Sequence, residues 1–489
     1  MAEMEDKSKV IFGNVMPDKV YKKAVKSKEK YLKKYPDDPD VSYNARIRKN
    51  PVIGDSLGVM DIRLEEGESE APFDEEKGII VGNIRMGFGH YRISMAIASA
   101  AQAMGYEPLW FDLHSFDDTT CGKIIAEQNK LYSMGSRLSQ QFSLFNKLFW
   151  EPLNSEGFRQ LTYNSSDQKT AELMTPVFRD LPRDIPFVAT HVWPSQAAIH
   201  AGLTHVVNAI PDNWPMALHL SEGAIHTAQT PSAYLGYRAL RGMDKHRILC
   251  PMSENDIYYT GHYIDHELVC NIEDDCERRL ERLRSGKAKR WLMSVGGAGA
   301  QKEIFVAMIR RLLPQIKKGR AALFRNVGDH IKVWQQLKEL LPHMMPYTTE
   351  HFDDFEETKT FAENALDGEI NGIHAFFHTD IFAAVYSTNL LMRCSDVLIT
   401  KPSELAFYPV PKLMIKRVGG HEAWGAIRAA ELGDGTYECS TVAECCAMMR
   451  MIQHSDDIIA KMCENIMTAK EAGVYDGAYK VIELAVRDR

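Results

Sequence analysis

Gly78-Ile79-Ile80-Val81-Gly82 leads into Gly87-Phe88-Gly89-His90, and that turn leads into Ile93, Met95, Ala96, Ile97, Ala100 and Ala101. The first run is apolar throughout, as in a strand buried on both faces. The last is a small-residue helix. Glycines between strand and helix let backbone approach a ligand closely. The helix start adds amide N–H groups and a partial positive charge, an anion site. His90 places at that turn a side chain able to exchange a proton near neutral pH.

The pattern recurs two hundred residues later. Arg290-Trp291-Leu292-Met293-Ser294-Val295 reads as a strand, Gly296-Gly297-Ala298-Gly299-Ala300 as its turn, and about Glu303 to Lys317 as the helix. Two such modules predict an α/β protein of two Rossmann-like domains. Their sheets are expected to be mostly parallel and to face each other across a cleft, with ligands at the C-terminal strand ends.

The length of 489 residues suits two or three domains, and 45% hydrophobic residues suffice for full cores. A net charge of −8 gives no sign of a nucleic-acid partner. The nine cysteines lack paired zinc spacing and read as reduced buried thiols. Met1 to Val10 has no apolar core of a signal peptide. No run of eighteen apolar residues occurs. A cytoplasmic protein is expected, with peripheral attachment to a membrane as the alternative.

Residues 1–76 read as an N-terminal extension, a lysine-rich helix (Tyr21 to Lys34) followed by a linker. A solvated helix is the first expectation for the lysines and an anionic membrane surface the second. Residues 77–285 form the first Rossmann-like domain, with strands at Pro108–Leu113, Phe187–His191 and His205–Ile210. Residues 286–474 form the second, with strands at Ala321–Phe324, Asp396–Thr400 and Pro411–Ile415. Residues 475–489 form a helix packing back on the first domain. Leu131 to Trp150 is dense in aromatics, with Phe142, Phe145, Phe149 and Trp150. A core stripe is the default at this spacing, with a lipid-contacting flap or partner surface as alternatives.

Three strand ends of the second domain are polar or glycine-rich. Backbone N–H groups at Gly296, Gly297, Gly419 and Gly420 could hold a diphosphate. Glu404 could accept both hydroxyls of a ribose. Each residue also has a purely structural use, as a turn glycine or a helix cap. Jointly, three polar strand ends in one domain favour nucleotide binding.

The order of these loops resembles the GT-B glycosyltransferases that include monogalactosyldiacylglycerol synthase and the N-acetylglucosaminyltransferase acting on the lipid precursor of peptidoglycan. Gly87-Phe88-Gly89-His90 resembles that family's first-domain Gly-Gly-Gly-His turn, and Leu131 to Trp150 the aromatic segment of the diacylglycerol enzymes. Ser294 to Gly299 resembles the opening turn of the donor domain. Asn326-Val327-Gly328 resembles the loop near the base. Asp396 to Pro402, followed by Ser403-Glu404 seven residues before Pro411, resembles the Thr-Lys turn and ribose-binding Glu. Gly419-Gly420-His421-Glu422 resembles the Gly-Gln-Glu turn at the donor sugar. The chain departs from the pattern in its short Lys401–Glu404 spacing, in His421 for Gln, in Gly425 for Asn, and in lacking Pro after Gly261.

The resemblance implies an inverting, metal-independent hexosyltransferase with no cofactor beyond its nucleotide-diphosphate sugar, a UDP-sugar first. His90 would be the catalytic base, with Gly87, Phe88 and Gly89 as the acceptor or phosphate loop. Gly296, Gly297, Gly299, Asn326, Gly328, Thr400, Lys401, Ser403, Glu404, Gly419, Gly420, His421 and Glu422 would bind the nucleotide sugar. The acceptor would be a hydroxyl, with a lipid among the candidates. The alternatives are a sugar-nucleotide epimerase and a non-catalytic sugar-nucleotide or lipid-binding protein.

Overall fold

The computed structural model describes residues 6–35, 41, 43–85, 87–141, 156–294 and 301–487. The chain divides into two compact units, Met1–Tyr263 with Gly477–Arg489, and Ile264–Asp476.

In unit 1 a short hairpin, β1 (Val10–Ile11) and β2 (Asn14–Val15), precedes an eight-stranded sheet. Its strands are β3 (Ala45–Lys49), β4 (Met60–Leu64), β5 (Gly78–Asn83), β6 (Glu107–Asp112), β7 (Phe187–Ala189), β8 (Val206–Ala209), β9 (Ile225–Ala228) and β10 (Ile257–Tyr259). They lie in the order β10-β9-β8-β7-β5-β6-β4-β3. All neighbours are parallel except β3, which runs antiparallel to β4. Every residue of β5 is buried, the outcome expected of an apolar strand covered on both faces. Gly82 is there for contact: a Cβ would lie 2.3 Å from Cζ of Phe187 on β7. The chain leaves β5 for β6 on one side and returns to β7 on the other. The β5/β7 gap is therefore the switch point, where α/β sheets bind ligands.

Unit 2 has a six-stranded sheet of β11 (Lys289–Ser294), β12 (Ala321–Asn326), β13 (Thr348–Phe352), β14 (Gly372–Phe377), β15 (Val397–Thr400) and β16 (Lys412–Met414). Its order is β13-β14-β12-β11-β15-β16, parallel throughout. Here the order reverses between β11 and β15. Both units are Rossmann-like α/β folds by their own strand order.

Two boundaries differ from the sequence reading. Residues 1–76 do not stand apart. They supply β3 and β4 to the first sheet, and the lysine-rich helix Asp18–Lys34 packs on the helix Leu161–Ala171. Tyr31 of that helix joins the unit 1 core, while Lys28 and Lys34 reach Glu172 and Glu127. The acidic residues read as a linker include Glu65, which pairs with Arg48 across the β3 edge at 2.6 Å. The second unit begins at Ile264 and not at residue 286. Its helix Ile272–Arg284 carries Arg279 and Arg282, which are buried against Met392, Ser395 and Asp396, all of unit 2. The helix Gly477–Val486 belongs to unit 1 and packs on the helix Phe88–Ala103. Gly477 lets the start of this helix lie against the backbone after β10, since a Cβ would lie 2.2 Å from the Gly261 carbonyl oxygen.

Within Leu131 to Trp150, Leu131 and Met134 are exposed on the helix Thr120–Gln141, and residues 142–150 lie outside the described residues. No helix among the described residues is long and apolar enough to cross a membrane.

Buried imidazoles make the fold acid-sensitive. Burial drives His200, His226 and His374 down to about 4 from an ordinary value of 6.5. Between those values the unfolded chain takes up three protons that the folded chain refuses. Asp167 works the other way. Burial drives its carboxyl up to about 8. The folded chain thus already holds a proton that the unfolded carboxyl binds only near 3.8. Three imidazole protons against the one on Asp167 give net uptake on unfolding between pH 6.5 and pH 4; buried His191 and His378 add to it, and Asp112 and Asp434, whose carboxyls burial also raises, subtract from it. Each net proton costs about 1.4 kcal/mol of stability per pH unit. Urea titrations from pH 6.5 to pH 4 should therefore show falling midpoints and proton uptake; a flat profile contradicts the assignment.

Candidate active site

In unit 1 the site forms at the β5/β7 switch point. Gly87 starts the helix Phe88–Ala103 with φ 118° and ψ −177°, a conformation essentially confined to glycine. This turn carries His90 into the first helical turn. Its Nδ1 lies 2.7 Å from the carbonyl oxygen of Thr190, the residue just after β7. A carbonyl oxygen can only accept, so Nδ1 carries the proton and Nε2 the lone pair. The Ser94 and Thr190 hydroxyls are 2.8 Å apart and tie the helix to the same strand end.

His191 follows Thr190. Its ring packs edge-on against His90 with centroids 4.9 Å apart, and against Trp193 at 5.1 Å. The Trp193 backbone N–H donates to His191 Nδ1 at 3.2 Å, which caps the helix Val192–Ala201 and leaves the proton on Nε2. Burial holds the His191 pKa well below the ordinary value, so the ring is neutral at pH 7. His219 Nε2 lies 3.0 Å from Asp212 Oδ2. At the end of β5, Asn83 is fully buried and neither polar atom of its amide has a hydrogen-bond partner. Unmet groups of this kind cost about 1–3 kcal/mol each and mark places that a ligand can complete.

In unit 2 the β11/β15 switch point gathers the second set. Thr400 ends β15, and Lys401, Ser403 and Glu404 follow, with Glu404 opening the short helix Glu404–Phe407. Lys401 Nζ bonds Glu422 Oε1. Oε2 of Glu422 accepts from the Val418 amide at 2.7 Å and the Gly419 amide at 3.2 Å. Burial alone would raise the Glu422 carboxyl, but the Lys401 charge and these donors outweigh it and hold the pKa below the usual range. The His421 ring lies across Gly419, where a Cβ would come within 2.5 Å of it. Gly420 opens the 3₁₀ turn Gly420–Glu422. Gly425 has its own reason: a Cβ would lie 2.7 Å from the Pro402 carbonyl, so glycine lets the following helix press on the Lys401 loop. Gln301, just before the helix Lys302–Lys317, bonds the Lys416 carbonyl and joins that helix start to the loop after β16.

The predicted residues thus divide. Lys401 meets Glu422, beside Gly419 and His421, while Thr400 and Glu404 lie on the adjoining strand end. Asn326 is buried and spent inside the unit. Its amide donates to Thr388 Oγ1 at 2.8 Å and the Ala384 carbonyl at 3.2 Å, and its oxygen accepts from the Gly328 amide at 2.8 Å. Its role is to hold the Gly328 turn, where φ is 59°. Gly296, Gly297 and Gly299 lie outside the described residues. Asn83, Thr190, His191 and the His219–Asp212 pair were missed. The available signal was Thr190-His191 placed directly after an apolar strand, a polar strand end like those of the second unit.

Residues 10–239 match the family model described as a domain of unknown function, DUF6937, and residues 252–486 the one described as DUF6938. None of the curated proteins compared matches the chain. Among solved structures, a UDP-GlcNAc 2-epimerase from Neisseria meningitidis bound to UDP-GlcNAc is 12% identical. That match covers 84% of this chain and 100% of the epimerase with a TM-score of 0.43. An α,α-trehalose 6-phosphate synthase from Burkholderia multivorans is 11% identical over 84% of this chain and 98% of its own, with a TM-score of 0.44. The functional reading rests on the site itself.

Proposed function

We propose that this chain is a glycosyltransferase, moving a sugar from a nucleotide-diphosphate sugar, a UDP-sugar first, to a hydroxyl acceptor with inversion. The observation that carries the reading is the His90 tautomer. The Thr190 carbonyl holds the proton on Nδ1, so Nε2 is the acceptor a general base requires. The acceptor O–H gives its proton to Nε2. Its oxygen bonds the anomeric carbon, and the carbon–oxygen bond to the diphosphate breaks with both electrons leaving on the nucleotide. Lys401 and the start of the helix Lys302–Lys317 supply positive charge for that leaving group. Glu404 accepts from the ribose hydroxyls. Glu422, holding Lys401 and two loop amides, orients the sugar side of the site.

A second reading has its own support. Epimerisation needs acid and base groups on both sides of a sugar carbon, and His191 with the His219–Asp212 pair provides further proton carriers beside His90. Product analysis with a UDP-sugar separates the two, since transfer requires an acceptor and releases UDP, whereas epimerisation requires no acceptor.

A further inference from the structure

We propose that unit 2 carries a second ligand site, away from the switch point, for a phosphomonoester with an apolar body. A cavity of about 480 Å³ lies between the helices Lys302–Lys317 and Val442–His454. This is within the range of small-molecule sites. Arg310, Arg311 and Arg450 line it together with His454, and no carboxylate does. None of these four enters an ion pair among the described residues, in a chain of net charge −8. Guanidinium groups bind phosphate oxygens two at a time, which distinguishes them from lysine as phosphate ligands. The floor between them is apolar, with Leu312 and Met449 buried. Gln315 also lines the cavity.

The position separates this site from the proposed donor site. Gln453, on the cavity wall, accepts from Trp291 Nε1 at 2.8 Å and donates to the Arg320 carbonyl at 3.1 Å. Arg320 immediately precedes β12 and Trp291 lies in the first half of β11. The cavity therefore sits toward the N-terminal ends of the strands, opposite the end that carries Thr400 and Lys401.

The test is calorimetric titration of the full chain with phenyl phosphate, with inorganic phosphate and phenol as partial probes. Saturable binding of phenyl phosphate, tighter than either fragment, is expected. The double variant R311Q/R450Q should bind roughly tenfold more weakly or worse. Its melting temperature should stay near that of the wild type, because both side chains are exposed on helices. A second arm uses phosphatidylcholine vesicles containing phosphatidic acid. Co-sedimentation lost in the double variant assigns the phosphate to a lipid headgroup; phenyl phosphate binding without co-sedimentation assigns it to a soluble ester. Equal binding by wild type and a folded double variant in both arms, or no binding in either, overturns the proposal.

Discussion

His90→Ala is expected to lower turnover of sugar transfer by about 10²–10⁴-fold while leaving affinity for UDP nearly unchanged. The expectation follows from what the side chain touches. Its Nδ1–H is committed to the Thr190 carbonyl, and its ring is stacked edge-on against a neutral His191. The imidazole is thus oriented from one side by the strand end and from the other by a ring that carries no competing charge. Removing it deletes the proton acceptor and none of the unit 2 residues assigned to the nucleotide. Other roles leave other marks. A phosphate ligand at this position would show first as weakened nucleotide binding. A structural cap would cost about 1 kcal/mol of stability and spare turnover. Steady-state kinetics with calorimetry on the same variant separates the three. A fully active His90→Ala protein would end the catalytic assignment.

The largest stability effect is expected at Lys412 and Asp434. Both side chains are completely buried, with Nζ 2.7 Å from Oδ2. Lys412 also donates to the Tyr408 and Val410 carbonyls, and Asp434 accepts from the Tyr475 hydroxyl at 3.0 Å. Burial pushes the lysine down and the aspartate up, and each opposes the shift of the other. Lys412→Met would strand a buried carboxylate and should cost about 3–5 kcal/mol. The paired replacement K412M/D434L removes both charges and should be less damaging than Lys412→Met alone. Urea unfolding of the single and double variants measures this directly. A single variant as stable as wild type would show that the pair is not charged in the folded protein. The consequence reaches the site, because Lys412 opens β16, the strand that leads to Gly419 and Glu422.

Much of this architecture was legible in the chain. The apolar runs at residues 78–82, 187–189 and 321–324 could only be buried parallel strands, and each lies at the predicted place. The strands that escaped notice did so for different reasons, and β14, Gly-Ile-His-Ala-Phe-Phe in the interior of its sheet, is an apolar run that the sequence reading passed over. β13 is Thr-Thr-Glu-His-Phe at the edge of its sheet, polar because one side meets no neighbour. β9 and β10 are four and three residues long, too short to establish a period. β3 and β4 sit among charged residues that form cross-edge ion pairs, and those charges read as a linker. The site divides in the same way. Glycine turns and lone strand-end residues such as His90 and Lys401 are local signals. The Lys401–Glu422 pair spans twenty-one residues and His90–Thr190 a hundred, so only the fold brings them together. Asn326 shows the reverse. A polar residue at a strand end looked like a ligand contact, whereas the fold uses it to hold the Gly328 turn.

The most direct measurement is product analysis with the full chain, a UDP-hexose and a panel of hydroxyl acceptors that includes diacylglycerol. Transfer through His90 predicts UDP released one-for-one with a glycoside whose anomeric configuration is opposite to that of the donor, and none of either without acceptor. A C2-epimer formed in the absence of acceptor, a product of retained configuration, or an unchanged donor with every UDP-hexose and acceptor would contradict it.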